Sequence, residues 1–122
     1  MQKCILVYDD DEELLIATRI ILEKENYRVE TRSRCDDIIN EVSSIKPDLV
    51  FMDLLIPVMG GERALKLMKQ NDATRHVPVI IFSVHDSIEK VTENLNANGY
   101  LKKPFTIAEL LQIVDNTISE KK

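Results

Sequence analysis

The sequence predicts an α/β domain: a five-stranded parallel sheet, doubly wound, with helices on both faces. Three observations lead there. Strand-length runs at Cys4–Tyr8, Leu49–Met52 and Val79–Phe82 are apolar on consecutive residues, the pattern of strands covered on both sides. Segments of helical period separate them. The connections are only a few residues long, so right-handed crossovers build strand on strand with helices packed above and below.

The elements follow in order. After the first strand, Leu14, Leu15, Thr18, Ile21 and Leu22 form one helical face. Tyr27–Thr31 reads as a weaker second strand, and Ser33-x-x-Asp36 has a loose capping spacing ahead of the second helix. The third strand, Leu49–Met52, precedes a helix over Arg63–Asn71 opened by Gly60-Gly61. The fourth strand, Val79–Phe82, leads to the capping box Asp86-x-x-Glu89 and a helix over Ser87–Leu95. Its apolar stripe is only Ile88, Val91 and Leu95, so it is expected to be the least firmly anchored. Gly99–Lys102 is the fifth strand. Thr106-x-x-Glu109 then caps a helix whose face is Ile107, Leu110, Leu111, Val114 and Ile118.

A chain of 122 residues, 44% hydrophobic and 30% charged, is expected to form one domain with no appended output module. Only 3 Gly and 4 Pro argue against disorder or a fibrous repeat. A net charge of −5 makes a poor general ligand for nucleic acid or an anionic membrane. No apolar run reaches the roughly 18–20 residues of a span, and the N-terminus lacks the pattern of a signal peptide. Cys4 and Cys35 form no metal-ligand pattern and read as reduced packing thiols of a cytoplasmic protein.

The acids at the strand ends carry the chemistry. The first strand runs into Asp9-Asp10-Asp11-Glu12-Glu13 and the third into Asp53, where such a fold opens its crevice. Asp11, Glu12 and Glu13 suit the first turn of a helix. Asp9, Asp10 and Asp53 do not reduce to that. Carboxylates brought to ~4 Å repel by about 4 kcal/mol at an effective dielectric of 20, so they must protonate or take up positive charge. Hard oxygens in an open site suit Mg²⁺, which keeps room for water and a substrate phosphate. Ser83 and Lys103 end two further strands, offering a hydroxyl and a point charge to phosphoryl oxygens.

The chain resembles a receiver domain of the two-component response regulators. The matching residues are Ile5-Leu-Val-Tyr-Asp9-Asp10-Asp11, Pro47-Asp-Leu-Val-Phe-Met-Asp53-Leu-Leu-Ile-Pro57-Val-Met-Gly60-Gly61, Pro78-Val-Ile-Ile-Phe-Ser83 and Gly99-Tyr100-Leu-Lys-Lys103-Pro104-Phe105. The resemblance implies the flavodoxin-like fold of CheY and a phosphoacceptor at Asp53, loaded from the phosphohistidine of a histidine kinase or phosphotransfer protein. It implies Mg²⁺, or Mn²⁺ in its place, held by Asp10 directly, Asp9 mainly through water, Asp53 and the Leu55 carbonyl. Lys103 would pair with Asp53 and then its phosphate. Ser83 would move toward the phosphoryl group, and Tyr100 would swing inward behind it. Lys103–Pro104 would be cis. A downstream protein would read the surface of the fourth helix, fifth strand and fifth helix, with the domain itself a monomer or weak dimer. The chain would be a switch rather than an enzyme, catalysing only its own phosphorylation and dephosphorylation.

Some positions depart from the family. Tyr8 replaces a small aliphatic residue and is expected to put a ring near the crevice. Val84 replaces Ala beside the phosphoryl route. Gly61 is read as standing where an acid is often found. Leu55 and His85 occupy positions that tune dephosphorylation, and an apolar Leu55 could shield an acyl phosphate from water. His76 and His85 read as surface residues. Two alternatives use the same residues: a receiver-like module that binds partners without phosphorylation, and a small haloacid-dehalogenase-like phosphatase with Asp9 as nucleophile and Asp11 as acid.

Overall fold

The computed structural model describes residues 2–56, 59–84 and 88–120. Strands and helices alternate: β1 (Cys4–Tyr8), α1 (Glu12–Lys24), β2 (Arg28–Arg32), α2 (Ile38–Ile45), β3 (Leu49–Asp53), α3 (Gly61–Gln70), β4 (Val79–Ser83), α4 (Ile88–Asn94), β5 (Gly99–Lys102) and α5 (Ile107–Glu120). Each strand pairs in parallel with its neighbours, in the order β2-β1-β3-β4-β5. The predicted α/β architecture is the observed one.

The sheet divides the core by strand period. Leu6, Val50, Met52 and Ile81 meet Ile38, Val42, Leu65, Met68 and Ile88 of α2, α3 and α4. Ile5, Val7, Phe51, Ile80 and Phe82 face the other way, onto Leu15, Leu22, Leu110 and Val114 of α1 and α5. Successive side chains point to opposite faces, so both faces of each central strand must be apolar. β1, β3 and β4 are buried along their whole length.

Boundaries move for identifiable reasons. β2 starts at Arg28 because the Tyr27 N–H closes the end of α1 on the Leu22 carbonyl at 3.2 Å. β3 and β4 run one residue past their apolar stretches, since the ladder still pairs Asp53 with Phe82 and Ser83 with Lys102. Asp11 caps α1, accepting from the Glu13 and Leu14 amides at 3.0 and 3.2 Å. Thr106 and Glu109 form the expected reciprocal box, at 2.8 and 3.1 Å. The Ser33–Asp36 spacing does not cap α2. That helix starts at Ile38 behind Asp37, which makes no side-chain cap and instead accepts from the Asn40 side chain at 2.9 Å. The Asp86 box, His85 and Pro57 lie outside the described residues.

Both cysteines are free and buried. Burial, with the charges of Asp36 and Glu41, pushes the Cys35 thiol up to about 11, and burial likewise raises Cys4. Such thiols stay protonated and unreactive. Among the described residues, no helix is long and apolar enough to cross a membrane.

Candidate functional site

β1 lies between β2 and β3, so successive crossovers leave it in opposite directions and open a crevice at the carboxyl ends of β1 and β3. Asp9 sits there, just past β1, with no exposed surface. Its amide donates to the Arg32 carbonyl at 3.1 Å, and its Oδ1 accepts the Asp11 amide at 2.9 Å. Asp53 ends β3 and is 4% exposed, its Oδ1 accepting the Leu55 amide at 3.2 Å. Asp10 is exposed on the rim. One carboxylate oxygen from each of Asp9, Asp10 and Asp53 lies within 4.8 Å of the others. The expected convergence is present.

Lys103 reaches this cluster from the loop after β5. Its amide donates to the Ser83 carbonyl at 2.8 Å, extending the β4–β5 ladder, and the following Lys103–Pro104 bond is cis. The ammonium donates to Asp9 Oδ2 at 2.6 Å and lies 3.7 Å from Asp53 Oδ2. The expected pairing with Asp53 is present, and Asp9 is a second, nearer partner. The reason is electrostatic. A carboxylate cut off from water needs a counter-charge, and Asp53, further from the lysine, is left under-compensated. Burial, then the charges of Asp9 and Asp10, raise the Asp53 carboxyl to about 6, against the opposing pull of the Leu55 amide and Lys103.

Ser83 is buried at the end of β4, one residue beyond the position that pairs with Asp53. Tyr100 lies on β5, 37% exposed. A hydrogen bond to Glu89 of α4 holds its phenol protonated above the ordinary range. Leu55 and Val84 flank the site with apolar side chains 65% and 56% exposed. Beside Lys103, a groove of about 450 Å³ opens between α1 and the start of α5, lined by Leu14, Ala17, Ile21, Val84, Phe105 and Ile107.

Three further readings change. The Tyr8 ring is wholly buried in the layer beneath α2, where its hydroxyl donates to Glu41 Oε1 at 2.7 Å. It follows Leu6 to that face by strand period. Gly61 cannot be the position that accepts an acid, because a Cβ there would stand 2.1 Å from the Asp53 carbonyl oxygen. Gly60, at φ +80° with open space around it, is the position with room. Asp11 is engaged as the cap of α1, which removes the acid that a phosphatase reading of Asp9 requires. Sequence reasoning also passed over Phe82 and Phe105, whose only signal was their place beside Ser83 and Lys103.

Residues 5–115 match the response regulator receiver domain family over most of the chain. The chain belongs to that family. It is a receiver domain of the two-component response regulators, and the phosphatase alternative falls. The transcriptional regulatory protein YkoG of Bacillus subtilis is 32% identical over 109 residues, covering 88% of this receiver domain and 47% of that protein. The receiver domain thus spans about half the length of that curated relative. A CheY-like receiver domain protein from Methanospirillum hungatei is 26% identical, with a TM-score of 0.89 and 99% and 97% of the two chains covered. The receiver domain of the sensor histidine kinase PA1611 from Pseudomonas aeruginosa, solved with magnesium in its active-site cleft, shares the fold. It is 24% identical, with a TM-score of 0.87 and coverage of 98% and 99%.

Proposed function

We propose that Asp53 is the phosphoacceptor of a switch loaded from the phosphohistidine of a histidine kinase or phosphotransfer protein. The observation that carries this is the convergence of the Asp9, Asp10 and Asp53 oxygens within 4.8 Å around a lysine that reaches both buried acids. Asp53 oxygen attacks phosphorus, a P–O bond forms as the P–N bond to the donor imidazole breaks, and that imidazole leaves with its electron pair. Lys103 swings from Asp9 and Asp53 onto the transferred oxygens, and the Ser83 hydroxyl donates to another. The donor set is all hard oxygen, which fits Mg²⁺ or Mn²⁺. Asp9, Asp10, Asp53 and the Leu55 carbonyl would hold the ion. It supplies neutralisation of the phosphoryl charge. The magnesium held by the PA1611 receiver supports this reading.

The groove beside Lys103 gives a donor protein an apolar seat next to that lysine. Tyr100, released from Glu89, moves inward behind Ser83, and a downstream protein reads the change on the α4-β5-α5 surface. The domain acts in the cytoplasm, where its buried thiols stay reduced. It turns over no substrate beyond its own acyl phosphate.

Intact mass after incubation with acetyl phosphate and Mg²⁺ tests this. One phosphoryl group should add to the wild type, and none without metal or in Asp53→Asn. No adduct from any donor would instead favour a module that binds partners without phosphorylation.

A further inference from the structure

The site lysine rests on an aromatic stack that phosphoryl transfer as described above does not use. Phe82 is wholly buried and stacks with two other rings. Phe51 of β3 stacks at 4.5 Å between centroids and Phe105 at 5.3 Å, each with planes 19° apart. Every ring is tied to a site residue along the chain. Phe51 is two before Asp53, Phe82 directly precedes Ser83, and Phe105 is two after Lys103. The Lys103 ammonium stands 6.0 Å from the Phe82 centroid, over its face, while it bonds Asp9 at 2.6 Å.

Two carboxylates attract an ammonium without fixing its direction, because a lysine is a point charge on a flexible stem. A ring face is directional: its negative quadrupole draws a cation onto the face. The Lys103 side chain is only 19% exposed, so water screens that attraction weakly. Phe51 and Phe105 together hold the plane of the central ring.

We propose that Phe82 is a positioning residue for phosphoryl transfer. Its ring, stacked with Phe51 and Phe105, steers the Lys103 ammonium from Asp9 toward the incoming phosphoryl oxygens. The role rests on the receiver reading of Asp53.

The test is the rate of phosphorylation by acetyl phosphate and Mg²⁺ in four forms of the chain: wild type, Phe82→Leu, Lys103→Met and the double variant. Thermal unfolding checks that each is folded. Phe82→Leu should slow the reaction on the order of three- to tenfold when Lys103 is present. In the Lys103→Met background the same change should cost less than about twofold. Equal losses in both backgrounds would overturn the role, since the ring would then act through packing alone and the receiver reading would stand. Should Lys103→Met react too slowly to follow, equilibrium binding of fluoroberyllate with Mg²⁺ supplies the same comparison. Should Phe82→Leu fail to fold, Phe105→Leu, which removes one of the two stacked partners of Phe82, replaces it with the same expected signs. A wild type that accepts no phosphoryl group would remove the phosphoacceptor reading of Asp53, and this role with it.

Discussion

Gly61 and Leu55 both contact Asp53 through their backbones, and each position has a measurable consequence. The Gly61 amide donates to the Leu54 carbonyl at 3.1 Å, and its Cα lies against the Asp53 backbone. Gly61→Ala drives a methyl into a carbonyl that no side-chain rotation can clear. It should lower stability by about 1–3 kcal/mol in urea unfolding, with strain centred on the phosphoacceptor. Gly60→Ala meets no neighbouring atom but stands at φ +80° and ψ 142°, close to the region only glycine enters freely, so its cost is backbone strain rather than a clash. A Gly61→Ala change that leaves the urea midpoint unmoved would contradict this assignment. Leu55 turns 65% of its surface to water beside Asp53, and we propose that it would limit water's approach to an acyl phosphate there. Leu55→Asn should therefore speed loss of the phosphoryl group, followed by mass after donor removal; an unchanged rate would refute the shielding role. Asp9, Asp53 and Ser83 were legible in the sequence because polar residues ending apolar strands stand out. That Lys103 stands nearer Asp9 than Asp53 was not, since it depends on distances that only the fold sets.

At the scale of elements, α2 is tied to the sheet by polar contacts that no sequence period announces. Tyr8 of β1 donates to Glu41 Oε1 at 2.7 Å, and Arg32 of β2 holds Glu41 Oε2 at 3.1 Å. The Arg32 carbonyl meanwhile accepts the Asp9 amide, so the same residue contacts both α2 and the site. Tyr8→Phe keeps the ring and leaves Glu41 one bond short. It should cost about 1.5–3 kcal/mol, the range for a hydrogen bond to a charged group, read as a lower urea midpoint with unchanged slope. A change below a few tenths would mean that water replaces the hydroxyl. Strands buried on both faces explain why the sequence placed this ring wrongly. In Cys4–Tyr8 every position is apolar, so composition cannot say which side chain faces which helix layer; only the register against β2 and β3 does. Helix starts were legible where a side chain caps them, at Asp11 and Thr106, and illegible at α2, where none does.

For the whole molecule, the acids at the crevice set stability against pH and metal. The Asp53 carboxyl, near 3.8 when unperturbed, is raised to about 6 by burial and by its acidic neighbours. The folded state thus holds this proton more tightly than the unfolded chain does. The stability it contributes is fully present below about pH 4 and is lost as pH rises through about 6. Without divalent cation, the wild type should therefore lose ground to Asp53→Asn across that window. At pH 7 the variant should be more stable by about 1–3 kcal/mol. Comparing the two chains cancels the titration of groups remote from the site, so the difference between their urea midpoints against pH reports the coupled acids at the crevice. A difference that stays constant from pH 4 to pH 7 would refute a strained acid at Asp53. Saturating Mg²⁺ should reverse the order at pH 7, because an ion bound only by the folded state adds stability in proportion to the logarithm of its concentration over Kd. The variant, with one carboxylate fewer, should gain less. The excess negative charge of the chain, which first marked it as a poor ligand for nucleic acid, is in this small part a repulsion among Asp9, Asp10 and Asp53 that a bound cation would relieve.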